Sequence, residues 1–403
     1  MKILEVIPKF HPAVGGSEKV VYELSKQFVK DGHEVTVVTS TSTNNKDVRG
    51  FSTEGIFRLS SSCNSNNHEI IDNINVYRFR PIFKFFPYSY NPSMKKFLKK
   101  NAGKYDIIHS HVYQSYEADV ISSLGLAYVH TAHDIVSHYG GIFKFFKKIY
   151  DLIIGRRILK NAKYLIALTP ENEKQYLEIR HSPEKIKVIP DGIEHMKKAP
   201  KSKELLKKYG NPEKIVLFVG RLVKYKGAQY IIKAIPEIIK FDNKISFLFV
   251  GEDQGYLTQL KEEAARLNVS HKCIFTGMVK NIESHFNLAD IFVLPSRGEG
   301  FGLAAVEALS LGKPSILADS GGLKYVLREI GGYALNMEKN VSKQISKYII
   351  EILSDSKIKE KLNKAEYNAC KYKWENISKK NLELFKKCIN KSKYIKKSKM
   401  RII

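Results

Sequence analysis

Short runs rich in β-branched and aromatic residues alternate with longer amphipathic runs along most of this chain, and they do so in two separate series. The first series of strand candidates is Lys2–Ile7, Glu34–Thr39, Ile74–Phe79, Tyr105–His111, Ala127–Thr131, Tyr164–Ala167 and Lys187–Ile189. The second is Ile215–Gly220, Ser246–Gly251, Cys273–Thr276, Ile291–Pro295 and Pro314–Ala318. Alternation of this kind predicts α/β architecture, a parallel sheet with crossover helices. Two series predict two doubly wound, Rossmann-like domains and not one long sheet. The break falls between Ile189 and Lys214, where Pro190-Asp191-Gly192 leads into a Lys-rich stretch with Pro200, Gly210 and Pro212, a linker composition. The expected division is 1–190 for the first domain and 191–373 for the second. A helical segment at about 374–390 is long enough to cross back over the first, and a basic tail over 391–403 is expected to fray.

In such folds ligands collect beyond the carboxyl ends of the strands, so a cleft between two facing domains is the expected site. Composition narrows the class further. No apolar run approaches the ~18 residues of a membrane span. Glu5, Pro8 and Lys9 interrupt the opening MKILEVIPKF, which therefore does not read as a signal peptide. The four cysteines, Cys63, Cys273, Cys370 and Cys388, form no CxxC pair, which argues against a disulfide framework or zinc site and fits a reducing cytoplasm.

The formal net charge of +26 implies an acidic partner: nucleic acid, an anionic membrane face or a phosphorylated substrate. No acid occurs between Asp72 and Asp106, and the tail from Leu384 carries eight Lys/Arg with none. Two segments interleave aromatics with base, Arg80–Tyr88 and Gly141–Tyr150. Basic amphipathic stretches of this kind lie on anionic bilayers, and solvated lysines over ordinary core aromatics are the alternative.

The loops after strands carry the chemistry. After the first strand, Gly15-Gly16-Ser17-Glu18 opens a helix, where free amides and the helix dipole suit an anion; a plain turn with Ser17 as N-cap is the competing reading. No GxGxxG fingerprint and no Walker loop is present. Histidines cluster at two strand ends, His109-Ser110-His111 and His130-Thr131-Ala132-His133-Asp134. They suggest a polar pocket, a metal site or acid/base work. His109 and His130 are expected only to hydrogen-bond buried backbone, and a metal is not expected because no carboxylate or thiolate cluster accompanies them. In the second series, Arg221 follows a strand and Lys226-Gly227 opens the next helix, a fork and a point charge suited to a diphosphate.

The loop Gly298-Glu299-Gly300-Phe301-Gly302 runs into a helix whose Leu303, Val306 and Leu309 share one face. Glu299 precedes that helix, and Glu307 lies about one turn inside, leaning back toward its start. Both carboxylates can therefore face a ligand that also touches the amides of Phe301, Gly302 and Leu303. A phosphate flanked by hydroxyl donors satisfies this arrangement, as in a nucleoside-diphosphate sugar. Compensation of the helix dipole by Glu307 is the weaker alternative, at ~0.3–1 kcal/mol.

These pieces resemble the GT-B-fold retaining glycosyltransferases of family 4. The matching segments are GGSEKVVYELSKQFVKDGHEVTVVT, DIIHSH, HTAHD, IPDGIE, FVGRLVKYKG, FTGMV, LADIFVLPSRGEGFGLAAVEALSLGKP and KWENISKK, and they run from Lys2 to about Lys387. The resemblance implies that Gly16 offers its amide to the donor phosphate, and that Arg221 and Lys226 neutralise the diphosphate as it leaves. Glu299 would bond the donor sugar, with Phe301, Gly302 and Leu303 presenting amides, and Glu307 would accept both ribose hydroxyls. His133 matches the active-site histidine near the sugar, oriented by Asp134, and the loop Gly277–Val279 would meet the base. The implied donor is a UDP- or GDP-sugar, with no metal or other cofactor required. The acceptor is expected to be a saccharide, polyprenyl- or dolichyl-linked, reached from a peripheral position on the inner face of the cell membrane through the two basic aromatic segments.

The sequence departs from the family pattern in three places. The turn commonly written Gly-Gly-x-Pro-Glu reads Gly321-Gly322-Leu323-Lys324-Tyr325, Asp191 stands where Asn is usual, and Arg49 to Lys104 has no match. A GT-B nucleotide-sugar 2-epimerase is the enzymatic alternative. A basic nucleic-acid binder is the non-enzymatic one, but no nucleic-acid motif accompanies the charge.

Overall fold

The computed structural model describes residues 1–13, 15–41, 57–58, 67–85, 88–133, 142–178, 182–194, 196–355 and 358–400. The chain forms two compact units, Met1–Gly192 with Trp374–Ile403, and Ile193–Lys373.

The first unit is built on an eight-stranded sheet. In chain order its strands are β1 (Lys2–Ile7), β2 (Glu34–Ser40), β4 (Asn67–Ile71), β5 (Ile74–Phe79), β8 (Ile107–His111), β9 (Tyr128–Thr131), β10 (Tyr164–Ala167) and β11 (Ile186–Val188), with β3 (Phe57–Arg58), β6 (Phe83–Phe85) and β7 (Tyr88–Tyr90) in a separate small sheet. The large sheet has the order β11-β10-β9-β8-β1-β2-β5-β4 and is parallel except where β4 meets β5. Strand order reverses direction at β1 and β8, which is where such a sheet opens a crevice. Five of the six residues of β1 are buried, among them Glu5.

The second unit holds a six-stranded parallel sheet: β12 (Lys214–Val219), β13 (Ile245–Val250), β14 (Cys273–Gly277), β15 (Ile291–Leu294), β16 (Ser315–Ala318) and β17 (Tyr333–Leu335). Its order, β14-β13-β12-β15-β16-β17, is the doubly wound 3-2-1-4-5-6 arrangement, with its reversal between β12 and β15. The helix Ala228–Phe241 buries Ala228, Ile231, Ile232, Ile235 and Ile238, the i, i+3, i+4 stripe that a sheet-covering helix needs. Each isoleucine buried this way contributes roughly 1.5–3 kcal/mol.

The expected strands are present within two residues of the predicted limits, while β3, β4, β6, β7 and β17 are additional. Four of those additions are two or three residues long, too short for periodicity to register. The Lys-rich stretch with a linker composition is in fact fastened to the second unit. Lys197 donates its amide to Glu283 (3.0 Å), Ala199 to Asn287 (3.0 Å), and Lys201 pairs with Asp290 (2.6 Å).

The terminal helix Trp374–Met400 lies with the first unit, where Phe385 packs on Phe28 and Ser378 bonds Asp31. Gly192 is required at its start, because a Cβ there would lie 2.2 Å from the Trp374 ring. The tail expected to fray continues this helix to Met400. It contains no Gly or Pro to stop it, and its lysines are good helix formers.

Candidate active site

In the second unit the reversal of strand order sets the loop after β12 beside the loop after β15, and both are shaped by glycine. Gly227 adopts φ +84°, and a Cβ there would stand 2.1 Å from the Pro295 carbonyl oxygen. Gly302 adopts φ +100° and begins the helix Leu303–Ser310 without any side-chain cap. The first amides of a helix have no intrahelical acceptor, so this end offers N–H donors and the positive pole of the dipole.

The loop between Pro295 and Gly302 is held from beneath. Phe301 is buried against Tyr372 and Tyr325, with ring centroids at 5.4 and 6.3 Å. Gly322 donates its amide to the Glu299 carbonyl at 2.8 Å, and a Cβ on Gly322 would come within 2.3 Å of the Gly300 oxygen. The departure after Gly321-Gly322, with Lys324-Tyr325 in place of Pro-Glu, therefore leaves the two glycines with a structural task, the close approach of their turn to the Glu299 loop. Neither Tyr325, Tyr372 nor this packing was legible as function, since aromatics at such positions read as core.

Lys226 and Glu299 come together as an ion pair of 2.6 Å with each side chain 13% exposed. Arg221 is more exposed and makes its hydrogen bonds to the Tyr225 hydroxyl (2.7 Å) and Gln254 (3.2 Å). Lys226 Nζ lies 5.7 Å from the centre of the same Tyr225 ring, so Tyr225 touches both cations. That residue went unnoticed in the sequence between Lys224 and Lys226. Glu307 is buried within the first turns of its helix, and Leu303 occupies the first helical position. At the end of β14, Gly277 turns at φ +68°, and its carbonyl accepts from Gly251 (3.0 Å) and Thr276 (2.8 Å), leading to Val279 in the following loop.

The first unit carries a second constellation. The helix Gly16–Lys30 is preceded by Gly15 without a side-chain cap. Ser17 donates to the Glu18 carboxylate (2.9 Å), so Ser17 is not the N-cap that one reading expected. Gly16 is exposed at the helix start.

On the sheet, the parallel register sets Glu5 opposite His109, and His111 opposite Thr131. Side chains two apart share a face. Glu5, His109, His111, Thr131 and His133 therefore gather on one side, while Ser110 and His130 point to the other. His111 Nε2 donates to Glu5 at 2.5 Å, and its Nδ1 lies 3.0 Å from His133 Nε2. His109 reaches Glu5 through Nδ1 (3.1 Å) and Thr131 through Nε2 (2.8 Å).

Two expectations change here. The first concerns His109, which bonds side chains, not backbone; His130 stays against Ser110, with its backbone and its hydroxyl (3.4 Å) in reach and its Nε2 unpartnered. The carboxylate missing from the sequence argument is also present: Glu5, which had served only as an interruption of an apolar run. Its signal was a lone acid in a strand that is otherwise buried.

Glu5, His109 and His111 could offer three ligand atoms within 4.8 Å of one another. A tetrahedral ion with bonds near 2.0–2.2 Å separates its ligands by about 3.3 Å. The 2.5 Å between Glu5 and His111 is instead the length of a charge-assisted hydrogen bond.

The Glu5 carboxyl is held well below the usual range by the two imidazoles against the opposing effect of burial. Burial and the neighbouring rings hold His111 and His133 below the ordinary imidazole value. The same cavity is lined by Asp191 and Trp374, and burial pushes the Asp191 carboxyl up to about 7. Asp134, the expected partner of His133, lies outside the described residues.

Comparison with known proteins accords with both units. The family described as Glycosyl transferases group 1 matches residues 201–371, and Glycosyltransferase Family 4 matches residues 14–197. An uncharacterized glycosyltransferase of Methanocaldococcus jannaschii is 28% identical over 409 residues, covering 96% of this chain and 98% of its own. An alpha-monoglucosyldiacylglycerol synthase of Streptococcus pneumoniae is 27% identical over 326 residues, covering 76% and 68%. The crystal structure of Anabaena HepE in complex with UDP and glucose superposes with a TM-score of 0.76 at 20% identity, covering 96% of this chain and all of that one. With both halves matched in order and a Rossmann-like sheet in each unit, the chain belongs to the group 1, family 4 glycosyltransferases of the GT-B fold.

Proposed function

We propose that this glycosyltransferase takes a hexose from a UDP- or GDP-sugar and passes it, with retention of configuration, to a saccharide acceptor carried on a polyprenyl or dolichyl lipid. The observation that carries the donor half is the Lys226–Glu299 pair beside the uncapped helix at Gly302. A cation, free amides and a carboxylate at one spot match a diphosphate joined to a polyhydroxyl. In this reading Lys226 and Arg221 take up charge on the departing diphosphate, helped by the helix dipole. Glu299 bonds the sugar hydroxyls, Glu307 the ribose, and the amides of Phe301, Gly302 and Leu303 the phosphate and sugar. The loop at Val279 meets the base.

Gly16 and His133 keep the roles that the resemblance implies. The bond from C1 to the β-phosphate oxygen breaks, the acceptor oxygen bonds C1 on the same face, and the acceptor proton passes to that phosphate. A structure with UDP and glucose among those of similar fold supports this class of donor. A thermal-shift panel tests it. Saturating a specific nucleoside diphosphate at 100 Kd should stabilise the fold by about 2.7 kcal/mol, visible as a raised melting midpoint. Absence of any shift across UDP, GDP and their sugars at millimolar concentration would sink the reading.

The membrane component rests on the helix Ile142–Tyr150 and the turn that follows it. No described helix is long and apolar enough to cross a membrane. Yet Phe145, Leu152 and Ile153 are each more than 60% exposed, beside the exposed Lys148 and Arg156. An apolar ridge among cations is what an anionic interface binds. The diacylglycerol in the streptococcal relative's name is consistent with a lipid acceptor. Flotation with phosphatidylglycerol-containing liposomes should recover the protein at low salt and lose it after Phe145→Ser with Leu152→Ser. Equal recovery of both proteins, or of neither, overturns the docking surface.

A further inference from the structure

Glu5 is a buried acid in a central strand, and nothing in the proposed transfer step uses it. It sits one hydrogen bond from His111, which sits one hydrogen bond from His133. We propose that Glu5 and His111 act as a positioning relay that fixes the tautomer of His133, so that His133 carries its proton on Nε2 and presents the Nδ1 lone pair to a substrate hydroxyl.

The argument follows the protons from the inside outward. An ionised carboxylate only accepts. At 2.5 Å, His111 Nε2 must therefore carry the hydrogen that it gives to Glu5. A neutral imidazole holds one proton, so His111 Nδ1 is left as an acceptor. The His133 nitrogen 3.0 Å away, Nε2, must then be the donor. One proton remains assigned to each ring, and His133 Nδ1 has none.

Neutrality of both rings is supported by their surroundings. The cluster packs His109 within 3.9 Å of His111 and His111 within 5.2 Å of His133, ring centre to ring centre. Burial and mutual repulsion both oppose charging them together. Thr131 occupies His109 Nε2, which keeps that ring turned toward Glu5.

The backbone holds the far end of the relay in place. His133 adopts φ +60°, and Val112, after the neighbouring strand, adopts +67°. A β-branched residue in that region is uncommon and costs on the order of 1 kcal/mol or more. The bonds from Val112 N to Thr131 O (3.0 Å) and Tyr113 N to Ala132 O (3.3 Å) extend the β8–β9 pairing past the strand ends. Tyr176 adds a bond from its hydroxyl, which accepts from Ala132 N (3.2 Å). Strain retained at two adjacent strand ends is the pattern of a segment positioned for a task.

The inference rests on the proposed function only in giving His133 a substrate to face, and its test needs no substrate. The experiment is nitrogen-15 NMR of the full chain labelled at histidine, with His133 assigned by loss of its signals in His133→Gln. In the unaltered protein, His133 Nε2 should show the shift of a protonated pyrrole-type nitrogen and Nδ1 that of an unprotonated one. His111→Phe removes the acceptor and should give averaged signals for both nitrogens. Glu5→Gln retains an amide oxygen for His111 and should keep the wild-type pattern, whereas Glu5→Leu should lose it.

A proton on Nδ1 or on both nitrogens of His133 in the unaltered protein overturns the relay, whether or not the Glu5 and His111 variants fold. An unchanged pattern in folded His111→Phe overturns it as well. Failure of the donor panel leaves these outcomes untouched, so the two readings stand or fall separately.

Discussion

Glu299→Ala is expected to lower sugar transfer on the order of 10³-fold, the loss of about 4 kcal/mol of charged hydrogen bonding to the sugar in the transition state. The backbone around it should survive, because its loop is fixed by the Gly322–Glu299 amide bond and by the Phe301 ring between Tyr325 and Tyr372, not by the carboxylate. The same substitution frees Lys226 from its 2.6 Å partner. Binding of the bare nucleoside diphosphate should accordingly stay level or tighten, even as turnover collapses. Lys226→Met should show the opposite pattern, with weakened diphosphate binding and an unpaired Glu299 carboxylate left behind. Calorimetric titration with UDP and GDP, set beside the rate of transfer, separates the two. Near-normal turnover in Glu299→Ala would refute the assignment of that residue to the sugar.

Asp191→Asn should stabilise the protein at pH 8 and leave it nearly unchanged near pH 4. Burial raises the Asp191 pKa from 3.8 to about 7, and no cation among the described residues opposes it. A carboxyl raised in the folded state contributes fully below its unfolded pKa. That contribution is lost as pH rises through the folded value, because the folded chain must then surrender a proton it holds more tightly. The window runs from about pH 4 to about pH 7, and the full difference is on the order of 4 kcal/mol at 1.36 kcal/mol per pH unit. Asparagine, the usual residue here by resemblance, carries no such slope. Melting midpoints of the two proteins should diverge steadily across that window and run parallel above it. A constant offset at every pH would show that Asp191 is not the titrating group.

Much of the second unit's candidate site was visible in the order of residues, for a physical reason. The groups proposed to bind the donor lie within short loops after strands, and a strand–loop–helix unit places them by local geometry alone. Glu299, Phe301, Gly302, Leu303 and Glu307 fall within one such unit, and Lys226 opens another. What was not visible was their support. Gly322 approaches the Glu299 loop from a different strand's end, and Tyr372 lies 71 positions beyond Phe301. Arg221 also turned to Tyr225 and Gln254, a choice among hydrogen-bond partners that spacing does not predict.

The amino-acid sequence by itself determined the α/β class, the two doubly wound units and the strand-end loops, since periodicity and turn residues act over a few positions. It also carried the family, through motifs that keep their order. Only the tertiary structure decided that Glu5 meets His109 and His111, that His111 meets His133, and that Lys226 meets Glu299. Those contacts depend on parallel register between strands about a hundred residues apart and on loops that meet where the sheet order reverses. Register is set by the packing of whole sheets, so no local pattern in the chain records it.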